Sequence, residues 1–485
     1  MARQAEPHKR NPDAPRTPGS KRKTFIKMLT AGAGRTDITP PVGIAHAGWG
    51  AATHQRAEGV DMPFYATALY VTDGDLEIAI VDLDIGVLTN EDDAAIRAEV
   101  AEVANIKPEN LRLSATHTHS GPVNRDSWLD EGMELVAPYW DSLPERVASA
   151  VSTARHNSKP AHVGVGKGTS SINVNRRPAL EDGTLFTGRQ WDGVVDREVG
   201  IVAINDTDGN AIATILNYAC HPTILGPANK LLSPDYPGYA RKVVEQYAGG
   251  LCLFLQGAAG NCGPTHGFIG EVAVAEWLGN RLGLEAARIR LEIDPVPRKE
   301  RLVEVVQSGA DLGMYEDEPA GEPDDTLRVI NTAANLPIGD FPSVEDAQAG
   351  FDSAVETLNA TRLSGTEAEI KLAVSNAKRS NFVLRNSLRT ADGKMSLPVQ
   401  AMRIGPAALV GVPVEAFCEI GISVKGASPA AQTLFSGYTN GSLGYMPMAD
   451  NFEEGGYEVN TTPMAAGAAE ETIEVCTDAV QALWR

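Results

Sequence analysis

The chain has 485 residues, 43% of them hydrophobic and 22% charged, a balance that excludes global disorder and collagen-like or membrane-embedded classes. A net charge of −21 opposes a nucleic-acid partner, because binding a polyphosphate rests on basic side chains displacing counterions. Five cysteines without Cys-x-x-Cys spacing suggest neither a disulfide framework nor a thiolate zinc site, and no apolar run approaches the roughly 18 residues of a spanning helix, so a cytoplasmic protein without stable membrane insertion is expected.

Residues 1–31 carry eight Lys or Arg against Glu6 and Asp13 and are predicted to be a disordered basic tail, since they bury too little apolar surface to offset ordering entropy. From there β-like runs alternate with helical patterns. Strands are predicted over 77–85 and 111–116 with an amphipathic helix over 92–103 between them, then strands over 201–205 and 211–218, a helix over 239–247, a strand over 251–255 and a helix over 272–289. This order predicts an α/β catalytic part over 32–295. A second α/β part over 296–485 is expected to complete the site. It holds an insertion over about 311–390 that begins acidic and Pro/Gly-rich and continues as a helical hairpin, followed by strands over 398–404 and 408–412. The fold class is therefore α/β, with mixed, layered sheets and flanking helices.

The most informative stretch is Ser114-Ala115-Thr116-His117-Thr118-His119-Ser120-Gly121-Pro122, an apolar strand ending in two histidines two residues apart. If the strand continues, its period of two puts both imidazoles on one face, at the carboxyl edge where ligand crevices form in open α/β sheets. Other predicted strands also end in chemistry-bearing residues: 212–218 runs into Cys220-His221-Pro222, 408–412 runs into Pro413-Val414-Glu415, and 77–85 carries Asp84. Imidazoles with a carboxylate are the donor set of a zinc site that keeps a position open for water. Taken singly, each of these residues is as often a turn or cap residue. Asp84, Asp235 and Glu419 are candidates for orienting the histidines, while His46 and His54, beside Trp49 in a Gly-rich loop, read as surface histidines.

Five motifs in order carry a resemblance: Thr116-His117-Thr118-His119-Ser120-Gly121-Pro122, Leu216-Asn217-Tyr218-Ala219-Cys220-His221-Pro222, Leu255-Gln256-Gly257-Ala258-Ala259-Gly260-Asn261, Val412-Pro413-Val414-Glu415 and Asn440-Gly441-Ser442-Leu443-Gly444-Tyr445. Together with the opening Gly32-Ala33-Gly34-Arg35-Thr36-Asp37, the chain resembles the neutral ceramidase family of zinc amidases. The resemblance implies one zinc ion held by His117, His221, Glu415 and Tyr445 at the strand ends, with His119, Arg176 and Tyr457 around the reacting carbonyl. Arg177 adjoins Arg176 and leaves that assignment open by one position.

What the resemblance implies is a zinc-dependent hydrolase cleaving a C–N amide bond by attack of hydroxide generated on the metal. His119 would give the departing amine its proton, and Tyr457, with His119 or Arg176, would receive charge on the carbonyl oxygen. The chain departs from the family around the metal residues, at Pro122-Val123-Asn124, Ser233-Pro234-Asp235-Tyr236-Pro237-Gly238 and Pro413-Val414-Glu415. Neither the export signal nor the C-terminal β-sandwich domain of the secreted ceramidases is expected from this sequence. A small amide is therefore expected as substrate in place of ceramide. An esterase, lactonase or deacetylase on the same scaffold, a non-catalytic zinc-binding protein, and a cysteine hydrolase using Cys220 or Cys262 remain as rival readings.

Overall fold

A computed structural model describes residues 28–485 apart from Ala47, Gly48, Gly50, Thr53 and Trp128. The basic tail expected over 1–31 lies outside the described residues as far as position 27, whereas Thr30 and Ala31 already belong to the first strand, Thr30–Asp37. Eight strands form one mixed sheet in the order Leu251–Gln256, Ala211–Tyr218, Glu198–Asp206, Lys159–Thr169, Thr30–Asp37, Tyr65–Thr72, Glu77–Leu83 and Leu111–Ala115. The outermost pair at each end is parallel and every other pairing is antiparallel.

Most of these strands are buried on both faces, Lys159–Thr169 being the main exception, and alternate side chains enter different cores, as a period of two requires. Ile78, Ile80, Ile215, Leu253 and Leu255 point into a core shared with Met402, Ile404, Leu409 and Leu434 of the second sheet. Their neighbours Ala79 and Val81 face the helices Asn90–Ala104 and Leu143–His156. On the same outer side, Leu216, Tyr218 and Phe254 face Tyr236–Ala248 and Val272–Glu292. The helix Asn90–Ala104 starts on Thr89, whose side chain accepts from Asp92 N at 3.1 Å, and ends on Asn105 in the left-handed region at φ 56°, the expected cap chemistry at both ends. Gly32 and Gly34 let Leu143–His156 lie against the first strand, since a Cβ at either would sit 2.2–2.3 Å from the carbonyl oxygens of Ala154 and Ala150.

The large sheet curls until its two edges face each other. Phe254 N donates to Asp82 Oδ2 at 2.8 Å, and Gln256 Nε2 to Thr116 O at 3.3 Å. This curl brings the chain segments after Ala115 and after Tyr218 to one place, although their strands lie near opposite ends of the sheet order.

A second sheet of four strands, Leu327–Leu336, Met395–Ile404, Ala407–Gly411 and Gln432–Ser436, packs inside the curl and is backed by the helix Ala468–Ala482. Arg112, fully buried, ties the sheets together by donating to Gln400 Oε1 and O and to Leu409 O. The long helices Val344–Ser364 and Glu367–Arg389 form the expected hairpin. The predicted insertion over about 311–390 is nevertheless interrupted. The strand Leu327–Leu336 within it pairs with Met395–Ile404 along its whole length, because its apolar residues reach the second core. The acidic stretch ahead of it is half of an exposed β-hairpin, Arg298–Val306 with Leu312–Pro319. No helix among the described residues is long and apolar enough to cross a membrane.

Candidate metal centre

The strand Leu111–Ala115 stops two residues short of His117, which takes φ 67°, a conformation that costs a side-chain-bearing residue about 1–3 kcal/mol and is held only where surroundings impose it. His117 N donates to Ile85 O at 3.0 Å. Beside it, residues 438–440 bond to the strand through Ala115 N to Tyr438 O and Asn440 N to Leu113 O, which places the Tyr438 ring 4.2 Å from the His117 ring. The convergence of His117 and His119 thus arises from a tight turn and not from the pleat of a continuing strand, which corrects the expectation from spacing.

His221 follows Ala211–Tyr218, and its N donates to Cys262 O at 2.9 Å. Each imidazole has Nδ1 on a backbone carbonyl: His117 on Gly86 O at 2.6 Å and His221 on Ala259 O at 2.9 Å. A carbonyl only accepts, so both Nδ1 atoms carry the proton and both Nε2 atoms present lone pairs. Those two Nε2 atoms lie 3.1 Å apart, with His119 Nε2 3.3 Å from His117 Nε2. Glu415 Oε2 sits 3.4 Å and 3.5 Å from the His117 and His221 Nε2 atoms and, though buried, has no hydrogen-bond partner among the described residues.

Lone pairs facing one another across these distances repel unless a cation lies between them. Metal–donor bonds of about 2.0–2.2 Å arranged tetrahedrally give donor–donor edges of about 3.3–3.6 Å, close to the separations here. The orphaned carboxylate oxygen and the paired Nε2 atoms therefore fit a zinc-sized divalent ion. Among the described residues, His117, His119 and His221 form the one cluster of three potential ligands of this kind.

Burial and the neighbouring His117 depress the His119 imidazole well below its ordinary pKa, and burial together with Arg176 does the same to His221, so both are neutral, as ligands or proton acceptors must be. Burial alone would raise the Glu415 carboxyl, but His117 and Arg176 outweigh it and hold the group below the usual range.

Glu415 and Tyr445 are register partners in a short parallel bridge, Glu415–Ala416 with Tyr445–Met446, which sets their side chains next to each other. Burial and Glu415 push the Tyr445 phenol well up, so it is neutral here. Arg176 Nη2 donates to Tyr445 Oη at 3.1 Å, and its Nε to Glu458 Oε1 at 3.0 Å. Arg177 turns away to Glu458, Glu454 and Gly455 O, so Arg176 is the arginine facing the centre. Tyr457 lies edge-on to Tyr445 at 5.6 Å between ring centroids and is 58% exposed, at the mouth.

All seven residues singled out from the sequence thus lie in or around one centre. The residues proposed to orient the histidines do other work. Asp84 pairs with Arg241 and accepts from Tyr65 N, Asp235 accepts from Leu225 N and Tyr236 N, and Glu419 accepts from Asn261 Nδ2. Backbone carbonyls take their place, which no side-chain pattern announces. The run 257–260 positions that carbonyl: a Cβ on Gly260 would sit 2.4 Å from Glu415 O. His46, read as a surface residue, is 1% exposed, with Nδ1 3.2 Å from His54 Nε2. Cys220 has its Sγ near His221 O rather than a ring nitrogen, and burial drives its thiol well up, which removes it as a nucleophile. Sequence reasoning missed Tyr438, Glu458 and the contact of Trp49 with His119 at 5.0 Å. Trp49 beside two histidines was the available signal for the last.

Residues 29–256 match the family described as neutral/alkaline non-lysosomal ceramidase, N-terminal. The neutral ceramidase of Pseudomonas aeruginosa is 22% identical over 466 residues, 89% of this chain and 68% of that protein. Neutral ceramidase A of Dictyostelium discoideum is 30% identical over 147 residues, 29% of this chain. The matched segments span about a fifth of the length of the two Dictyostelium relatives. The fold is that of the crystal structure of the Pseudomonas aeruginosa neutral ceramidase, with TM-score 0.66, 18% identity, and coverage of 94% of this chain and 74% of that one. The chain is thus similar to the neutral ceramidase family in sequence over residues 29–256 and has the fold of one of its members over 94% of its length.

Proposed function

We propose that the protein is a zinc-dependent hydrolase that cleaves a C–N amide bond, with a small amide as substrate in place of ceramide. The observation that supports this reading above all is the meeting of two Nδ1-anchored histidines and an unpartnered carboxylate oxygen within 3.5 Å of one another. His117, His221 and Glu415 would hold the ion, with Tyr445 as the further ligand that the family resemblance implies. When bound there, such an ion supplies a Lewis acid and lowers the pKa of water toward neutrality.

The protein's own groups serve the other needs of amide hydrolysis. His119, neutral in its enclosure, accepts a proton during attack and returns it to the departing amine, without which the amine is a poor leaving group. Arg176, held by Glu458, and the Tyr457 hydroxyl receive charge that develops on the carbonyl oxygen. The replacements beside the metal residues, Pro122-Val123-Asn124 and Pro413-Val414, support a different partner for the same chemistry, since specificity follows the pocket wall and not the reaction centre.

Chelation followed by zinc add-back, assayed on amides that include ceramide, tests this reading. Activity should disappear and return. His117→Ala should lose metal and activity together, whereas His119→Ala should keep the metal and lose rate by about 10²-fold or more. Activity that survives complete metal removal would overturn the proposal, and metal loss in His119→Ala would make that histidine a ligand.

A further inference from the structure

A groove of about 510 Å³ runs between the loop carrying Trp49 and the helix Glu367–Arg389. The groove adjoins the centre through Trp49, which lines it and whose ring lies 5.0 Å from the His119 ring. Leu129, Ile370 and Val374 make its walls apolar. Ile370, Val374 and Lys378 follow one another at intervals of four along a single helix face, a stripe about 12 Å long.

The charges in the groove are paired with one exception. Arg362 meets Asp130 at 3.0 Å and Lys371 meets Glu367 at 2.9 Å, but Lys378 has no carboxylate partner among the described residues. Its ammonium is partly desolvated, which lowers its pKa. A chain of net charge −21 repels anions at long range, so a half-buried cation without a carboxylate partner at the end of an apolar stripe is a local point of attraction for an anion.

We propose that this groove receives the non-reacting part of the substrate and that Lys378 binds an anionic group there, so that the amide cleaved carries a carboxylate separated from the scissile bond by an apolar chain. The inference rests on the amidase reading above and adds to it the class of substrate. The apolar walls take the chain, and Lys378 discriminates a charged terminus from a neutral one. Screening by salt should weaken that discrimination, as for any partly exposed charge pair.

The test uses half-amides of straight-chain dicarboxylic acids of increasing length, each compared with its methyl ester, on the zinc-loaded full chain. The ratio of kcat/KM for acid over ester should rise above one and peak at one chain length. It should fall about tenfold in Lys378→Met, a difference of about 1.4 kcal/mol, with the change mainly in KM. Lys378→Arg should retain it, and 0.5 M salt should shrink it. Product binding supplies a second readout that needs no turnover: the dicarboxylic acids should bind more tightly than their monomethyl esters, and Lys378→Met should erase the difference. Turnover with no preference for the acid, or a preference that survives in Lys378→Met, overturns the inference while leaving the amidase reading standing. Selective binding without turnover of any amide leaves the anion site standing and overturns the amidase reading. Equal binding of acid and ester by the wild-type protein overturns the anion site whether or not turnover is seen.

Discussion

Glu458 is the hub of the polar network behind the centre, and replacing it with Gln isolates what that network contributes. Its carboxylate is 3% exposed and holds Arg176 at 2.9 Å and Arg177 at 2.7 Å, each guanidinium 6% exposed. Removing one partner from a buried ion pair leaves an uncompensated charge in a poorly solvated place, a loss of about 3–5 kcal/mol. Here two cations lose their shared partner, so Glu458→Gln should sit at the upper end of that range. The same Arg177 also meets Glu454 at 3.3 Å, but that carboxylate is 54% exposed, so Glu454→Gln should change stability by about 0–1 kcal/mol. Urea denaturation of the wild type and both variants, followed by tryptophan fluorescence at pH 7, reads the difference. Equal losses in the two variants, or a loss below about 1 kcal/mol for Glu458→Gln, would refute the claim that burial, and not charge pairing as such, sets the strength of this network.

Two further expectations follow from particular contacts. His46 is held neutral by burial and by His54, its pKa lowered from 6.5 to about 4; the unfolded chain binds the extra proton first, so stability is intact above about 6.5 and falls as pH drops toward 4, by roughly 3 kcal/mol from this residue. A His46→Gln variant should show a correspondingly flatter loss between those pH values in paired denaturation curves, and parallel curves would reject the assignment. Gly260→Ala should push a Cβ into the space within 2.4 Å of Glu415 O and displace the carboxylate, weakening zinc affinity by about 10–100-fold in a competitive chelator titration; unchanged affinity would show that the segment yields instead.

What the sequence announced and what it withheld divide along a physical line. His117, His119, His221 and Glu415 were legible because their side chains carry chemistry and each follows an apolar strand, a pattern with a direct structural meaning. The orienting partners were not, because Gly86 O and Ala259 O belong to the backbone and are placed by the path of the chain. Histidine at φ 67° was equally hidden, since the spacing of two histidines is the same whether the strand continues or turns. Tyr438 and Glu458 come to the centre through long-range packing, from positions with no local signature. The strand Leu327–Leu336 was absorbed into an insertion because the acidic Pro/Gly-rich stretch before it dominated the composition, although its alternating apolar residues fit a pairing partner.

The centre draws its imidazoles from the ends of large-sheet strands and its carboxylate from the segment after the second-sheet strand Ala407–Gly411, at Glu415. During synthesis the nitrogen donors leave the ribosome about 200 to 300 residues before the oxygen donor does, at roughly 5–20 residues per second. For about ten seconds or more the nascent polypeptide thus offers the nitrogen donors alone, and under the proposed zinc reading faithful loading would wait for the segment carrying Glu415 to dock.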